Sequence, residues 1–428
     1  MKTQAIILFV LTYVLLLSFS KYRAYIALAS AAIYVILGIM PYNEVFGAID
    51  WNVIMMIAGT MIVVNLFIES KMPSLLADVI IDKTPNVKWA IISLSLFAGV
   101  ISAFIDNVAT VLMIAPVAVT IAKKLKISPV PSVIAISIAS NLQGASTLVG
   151  DTTSILLGTH ANMDFMDFFV FKGRPGIFWA VELGAIASTF ILIFVFRKEK
   201  QPVNNSERTV VTDYFPTMLL LGIIILLITA SFLPEGFLTD TINSHKNGLI
   251  CVVLAIIGLV RKLIQTKRLD VISSAAKEVD YDTILLLTGL FVIIGGITEA
   301  GLVDDISKIF VNISNGNVFL IYTLIVWASV LFSAFIDNIP YVATMLPVTQ
   351  QISAGLGIEP YLLFFGLLIG ATLGGNITPI GASANISGQG ILRKEGYEVS
   401  APTFMKISVP FTLSAVVTGY ILIWLIWS

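Results

Sequence analysis

One short motif occurs twice in this chain, 231 positions apart: Ser102-Ala-Phe-Ile-Asp-Asn-Val108 followed by Pro116, and Ser333-Ala-Phe-Ile-Asp-Asn-Ile339 followed by Pro347. Six of the seven aligned positions are identical. The register extends beyond the motif, because Thr147-Leu-Val-Gly150 falls on Thr378-Pro-Ile-Gly381, Gly144 on Gly375 and Ser154 on Asn385. At a spacing of 230, Trp51 to Gly59 and Glu69 answer Tyr281 to Gly289 and Glu299. A chain written twice folds as two copies of one unit. Each copy places a carboxylate and an amide inside an apolar stretch, where charge is costly.

Hydrophobic residues make up 57% of the chain and charged residues 12%, against about 45 to 50% and about 25% in soluble domains. That composition specifies an all-α polytopic membrane protein, and 428 residues provide for about ten spans of ~20 residues each. No polar stretch is long enough for a separate soluble domain, so Arg197 to Asp213 and Arg261 to Asp280 read as linkers. A net charge of -1 argues against a nucleic-acid partner. The single Cys251 excludes an internal disulfide or a thiolate cluster, and no cofactor is implied. His160 and His245 fall near helix ends and read as interfacial. The first apolar run, Gln4 to Phe19, leads into Lys21 and Arg23 without a small-residue cleavage pattern and reads as a retained helix.

Hydropathy and breaker residues place spans at 4–19, 24–40, 51–69, 130–159, 175–196, 215–233, 247–264, 281–299, 361–392 and 408–427. Two further apolar segments, about 88–122 and 317–356, split at the Asp-Asn pair and read as re-entrant hairpins. With the N- and C-termini outside and both hairpins returning to their own side, 20 of the 25 lysines and arginines are cytoplasmic, as the positive-inside rule requires. The first hairpin then opens from the cytoplasm and the second from outside, so the repeats are inverted. The expected units are a first repeat over 1–200 (hairpin about 88–122, broken helix 130–159), a cytoplasmic linker over 201–213, and a second repeat over 214–428 (hairpin about 317–356, broken helix 361–392). Inverted repeats about a shared central site are a transporter design.

Each hairpin tip ends one helix and starts another at bilayer depth, leaving backbone groups to be satisfied. Asp106 with Asn107, and Asp337 with Asn338, suit helix caps. A neutral residue would cap as well without burying a carboxylate, so the aspartates read as binding a cation or proton. The stretches Ala139 to Asp151 and Gly370 to Ala382 combine glycines with hydroxyl and amide side chains and read as broken helices. An unwound stretch offers carbonyls to a cation, and the half-helix after it offers N–H groups to a solute. Packing through small residues accounts for the glycines but not for Asn141, Gln143, Asn376 and Asp151. Glu69 and Glu299 read as interfacial. Glu182 lies inside a span, and its counterpart is Leu413, as that of Asp151 is Ala382.

These motifs resemble the ion transporter superfamily, in the branch that holds arsenite-efflux permeases, sodium/proton antiporters, citrate-transporter-like proteins and the P protein. The resemblance rests on Ser102 to Asn107 with Pro116, Ser140-Asn141 with Thr147 to Asp151, Ser333 to Asn338 with Pro340 and Pro347, and Gly374 to Asn385. It implies a scaffold and a transport part in each half, a homodimer, and sliding of the transport part. Carboxylate carriers of the superfamily have Ser-Asn-Thr at the hairpin tips where this chain has Asp-Asn, and the branch usually has Asp-Pro-Pro-Asn where this chain has Asp151-Thr-Thr-Ser154.

The resulting expectation is a proton- or sodium-coupled transporter of the plasma membrane carrying a small inorganic anion or weak acid such as arsenite. A sodium/proton antiporter, a carboxylate (citrate-like) transporter and a channel or uniporter are the alternatives. The coupling ion, with Na+ near Asp106 and Asp337 as one form, is assigned to Asp106, Asn107, Asp337, Asn338, Gly144, Gly375 and Asp151. The solute is assigned to Thr110, Asn141, Ser146, Thr147, Gly374, Asn376, Thr378, Ser383 and Asn385. No nucleotide-binding glycine loop, metal-ligand spacing or His-assisted nucleophile supports an enzyme.

Overall fold

The computed structural model describes residues 1–428 except 204–208, 235 and 268–269, so Arg208 and Arg268 of the basic-residue count lie outside the described residues. The described chain is helical apart from turns and one two-stranded ribbon, Val170–Phe171 against Arg174–Pro175. In the first half the helices are α1 (Lys2–Ser18), α2 (Arg23–Ile36), the short α3 (Val45–Ala48), α4 (Trp51–Glu69), α5 (Met72–Asp82), α6 (Val87–Ser102), α7 (Asn107–Leu125), α8 (Val130–Gly144), α9 (Thr152–His160) and α10 (Ile177–Val195). In the second they are α11 (Phe215–Ala230), α12 (Asp240–Thr266), α13 (Asp270–Glu278), α14 (Tyr281–Glu299), α15 (Leu302–Ser314), α16 (Val318–Ser333), α17 (Asn338–Leu356), α18 (Tyr361–Leu368) with a π-helical turn Ile369–Leu373, α19 (Ser383–Lys394) and α20 (Ala401–Trp427).

The boundaries repeat. Starts of α4 and α14, and of α5 and α15, lie 230 apart, and those of α6 and α16, α7 and α17, α8 and α18, and α9 and α19 lie 231 apart. Identical local signals produce this. Asp50 and Asp280 cap α4 and α14, each accepting the N–H of the residue three on at 3.1 Å. Asn86 and Asn317 cap α6 and α16 in the same way, at 3.2 and 3.0 Å.

Among the described residues six helices, α4, α7, α10, α12, α14 and α20, are long and apolar enough to cross a membrane by themselves, and α15 with α16, bent by 119°, would make a seventh. Others among the ten expected spans are shorter apolar helices, such as α1, α2 and α11, or halves on either side of a break. Outward faces are apolar: Ile186, Phe190 and Phe194 form an exposed stripe at i, i+4, i+8 along α10, the spacing of one helix face, suited to lipid.

Besides the short α3, three described helices escaped the sequence reading. α5 and α15 follow the helices that end at Glu69 and Glu299, and α13 lies in the stretch read as a linker, much of which is helical because α12 continues to Thr266. In α13 the polar composition hides Val271, Ala275 and, just beyond its end, Val279, spaced by four and all buried. His160 also departs from the interfacial reading: its Nε2 is buried without a partner and its ring meets Phe364 edge-on at 5.5 Å. His245 is exposed and bonded to the Thr241 carbonyl at 2.9 Å.

Packing interlocks the copies. α4 packs along α12, and α14 along α2, so each copy's second helix lies on the other copy's Asp-capped helix. Glycines set both crossings. A Cβ on Gly59 would lie 2.5 Å from the Cys251 carbonyl carbon, and one on its counterpart Gly289 would lie 2.6 Å from that of Ala27. α6 and α7 enclose α8, α16 and α17 enclose α18, α7 packs on α19 and α17 on α9. Gly59→Val and Gly289→Val should each force their helix pair apart, costing about 1 to 3 kcal/mol or more. Thermal unfolding of the purified chain should show a comparable loss for both, whereas Gly390→Ala, where a Cβ meets nothing, should lie near wild type.

Candidate functional site

Inside this frame two helix pairs turn at their Asp-Asn motifs. Asp106 caps α7, its carboxylate accepting the Ala109 N–H at 3.0 Å, and Asp337 caps α17, accepting the Ile339 N–H at 3.1 Å. The caps use one oxygen of each carboxylate. Both turns face one chamber of about 270 Å³, lined also by Asn107, Asn338, Asp151, Thr152, Thr153, Asp280, Thr283 and Ser383, with Met61, Val64, Asn65 and Ile68 of α4 as its far wall. The two copies of the motif therefore meet, with Asp151, around one polar space.

Behind the chamber lie the breaks. α8 ends at Gly144 and α9 begins at Thr152; the π-helical turn ends at Leu373 and α19 begins at Ser383. Each break is pinned to the neighbouring hairpin tip by the same bond, from the Thr147 hydroxyl to the Ala103 carbonyl and from the Thr378 hydroxyl to the Ala334 carbonyl. Gly150 and Gly381 let the two strands of each break touch. A Cβ on Gly381 would lie 2.8 Å from the Ser333 and Ala334 carbonyl oxygens, and one on Gly375 would lie 2.9 Å from that of Gly381. No side chain fits there, so the glycines serve close approach.

The residues assigned to the solute fall into two sets. Ser383 lines the chamber, 3.4 Å from an Asp337 carboxylate oxygen. The others do not line it and brace what does. Thr110 bonds the Asp106 carbonyl at 3.0 Å, Ser146 the Gln143 carbonyl at 2.7 Å, and Asn385 the Gly375 and Thr378 carbonyls at 3.2 and 3.1 Å. Asn141 accepts from the Asn107 amide at 3.0 Å and donates to the Thr372 carbonyl at 2.8 Å, while Asn376 donates to the Ile138 carbonyl at 2.9 Å. The two broken helices are thereby sewn to each other. Gly374 abuts the Val330 backbone, a Cβ there falling 2.6 Å from its Cα.

Several buried oxygens here have no partner. They are Ser102 Oγ, Ser154 Oγ and Asp151 Oδ2 on one side, and the equivalent Ser333 Oγ and Asn385 Oδ1 on the other, joined by Asn376 Oδ1 and Gln143 Oε1. A Cβ on Gly144 would lie 3.5 Å from Ser102 Oγ and 3.3 Å from the Asp151 Cβ, so the first group is compact. Buried acceptors without donors are costly and fit a cation, which needs oxygen ligands.

Sequence reasoning missed Arg23, Asp280 and Thr283. Arg23, counted with the basic residues of a loop, forms an ion pair with Asp337. Asp280 was placed in a linker although it caps α14 and reaches the chamber. Its position 230 after Asp50 was the available signal. Glu69 pairs with Lys262 and Glu299 is exposed. Glu182 accepts from the Gln143 amide at 2.7 Å.

A helical membrane chain in which two hairpins and two broken helices close on a polar chamber has the architecture of a solute transporter. The citrate transporter family model matches residues 13–370, and the chain belongs to that family. An uncharacterized transporter of Mycobacterium tuberculosis is 31% identical over 99% of both chains, and the human P protein is 26% identical over 92% of this chain and 56% of its own length. In fold the chain matches the Alcanivorax borkumensis YdaH transporter, with a TM-score of 0.64 at 14% identity, covering 95% of this chain and 97% of that one. It also matches MtrF of Neisseria gonorrhoeae, described as one of a class of antimetabolite efflux pumps, with a TM-score of 0.56 at 14% identity over 89% and 82%. The chain is a multi-pass membrane transporter.

Thr147→Val and Thr378→Val should each free a break from its hairpin and leave a carbonyl unpaired, lowering stability by about 1 to 3 kcal/mol. Unfolding should report a similar loss for both, with transport lost in step.

Proposed function

We propose that this chain is a proton- or sodium-coupled secondary active transporter of the plasma membrane, acting as a homodimer with both termini outside and carrying a small weak acid such as arsenite by alternating access. The observation that carries the reading is the set of orphaned oxygens repeated at 231 positions beside both helix breaks, next to a chamber walled by four carboxylates, Asp106, Asp151, Asp280 and Asp337. The coupling ion is assigned to the acidic turns, Asp106 with Asn107 and Asp151 on one side and Asp337 with Asn338 on the other, aided by carbonyls near Gly144 and Gly375. The solute is assigned to the space between the turns, against Ser383 and Asn107, with the bracing residues Asn141, Thr147, Asn376 and Thr378 holding its walls.

The chamber's size and charge support a small, uncharged solute. About 270 Å³ lies at the lower limit of small-molecule sites. A weak acid that is neutral at pH 7 enters an acidic chamber without repulsion and hydrogen-bonds to carboxylates as a donor. Antiport of sodium against protons is the second reading, favoured by the same carboxylates, and sodium-dependent proton movement in proteoliposomes without further solute would distinguish it.

Asp106→Asn should reduce gradient-driven accumulation of arsenite in proteoliposomes at least tenfold while the variant inserts normally. Wild-type accumulation against a gradient excludes a channel. Undiminished uptake by Asp106→Asn would reduce that carboxylate to a helix cap.

A further inference from the structure

The two acidic turns are equal in sequence and unequal in charge. Asp337 is paired with the Arg23 guanidinium, both side chains being about four-fifths shielded (23% and 19% exposed). Asp106 has the Ala109 N–H as its partner, and no cation pairs with it among the described residues. The packing of the repeats shows that this is a true asymmetry. Ala27 meets Gly289 where, in the other copy, Cys251 meets Gly59, so Ala27 corresponds to Cys251 and Arg23, four residues earlier, to Asn247. Asn247 is buried and neutral. The same side of the molecule grips the second turn again, since the Tyr13 hydroxyl donates to the Pro340 carbonyl at 2.8 Å and also meets Thr344.

We infer that Arg23 is a built-in counter-ion occupying the cation position of the second turn, which narrows the coupling ion from the two acidic turns assigned above to Asp106 alone, the chain's own guanidinium serving Asp337. A guanidinium cannot shed its charge near neutral pH and cannot leave the chain, so the turn it holds exchanges no ion with solvent. Its charge also acts on the rest of the chamber. Asp280 and Asp282, at the start of α14, add to the attraction that holds Arg23, while Asp106 faces Asp151 and Asp280 with no fixed cation and must recruit one. Arg23 stands at the start of α2, packed on α14, and Asp337 on the tip of the second hairpin. One contact thereby both fills the second site and ties the hairpin to the helices beside it.

The inference rests on the ion-coupled reading, and one experiment separates the two. The full chain, purified in detergent, is unfolded thermally across NaCl concentrations at fixed ionic strength with choline chloride, and across pH without sodium. A ligand that prefers the folded state raises stability with the logarithm of its activity in proportion to the number bound. The wild type should respond to sodium or to pH. Asp106→Asn should lose that response, Asp337→Asn should retain it, Arg23→Gln should roughly double its slope by opening a second site, and Arg23→Lys should match wild type. Loss of response in Asp337→Asn equal to that in Asp106→Asn, or an unchanged slope in Arg23→Gln, overturns the inference and leaves the coupled reading standing. If Arg23→Gln does not fold, the comparison of Asp337→Asn with Asp106→Asn decides. A wild type indifferent to both ions defeats the coupled reading itself.

Discussion

A helix that stops inside an apolar interior leaves N–H and C=O groups that must be satisfied there, and among the described residues two tips and two breaks do so. The structure answers by making the interruptions satisfy one another. Thr147 reaches the carbonyl of Ala103 and Thr378 that of Ala334, so each break caps part of a tip. Asn141 accepts a hydrogen bond from the Asn107 amide and donates one to the Thr372 carbonyl, on the other broken helix. The hydroxyls of Thr153 and Thr372 meet at 2.7 Å across the same divide. Moving one interruption alone would strand polar groups of another, so the hydrogen bonds tie the four together.

What the duplication showed in sequence was of this kind. The Asp-Asn motif located both turns, and the glycines with their hydroxyl and amide neighbours located both breaks, because a chain interrupting a helix in lipid must carry those residues locally. Of the chamber's lining, the sequence located Asp106, Asn107, Asp337, Asn338, Asp151 and Ser383. Thr110, Asn141, Ser146, Asn376 and Asn385 have the chemistry of solute ligands, yet their donor groups are taken by carbonyls. A sequence shows that a polar side chain is buried without showing which partner takes it. The apolar residues of the far wall, Met61, Val64 and Ile68 of α4, carried no signal, since an apolar residue facing a chamber and one facing lipid read alike.

Arg23 shows the opposite limit. Basic residues just outside a span are counted for topology, and that count treats each as solvated. Here the aspartates at 280, 282 and 337 draw the guanidinium inward, and the tertiary pairing outweighs the exposed position that its place at a helix start implies. The duplicated halves supply the geometry of two sites. Single substitutions against that background, Arg23 where the other copy has Asn247 and Asp151 where it has Ala382, give each site a different charge. On the proposed alternating-access reading, symmetry is kept for the two arrangements while the chemistry is settled on one side.

Charge also bears on which solutes suit such a chamber. Four carboxylates line it, and Arg23 offsets one. A like-charge pair about 6 Å apart at an effective dielectric of about 20 costs roughly 3 kcal/mol, so a bare polycarboxylate facing several would meet a penalty larger than most solute affinities. The family name therefore does not carry over to this chain as a free anion. A carboxylate would have to enter with cations that neutralise it, or the solute must be uncharged, or the cation must itself be the solute. On the proposed ion-coupled reading all three share one requirement, a positive charge or a proton brought to Asp106 and Asp151 in each cycle. The orphaned Asp151 Oδ2 and its neighbouring hydroxyls are placed to receive it, and the obligation to bring it is what would couple solute to ion.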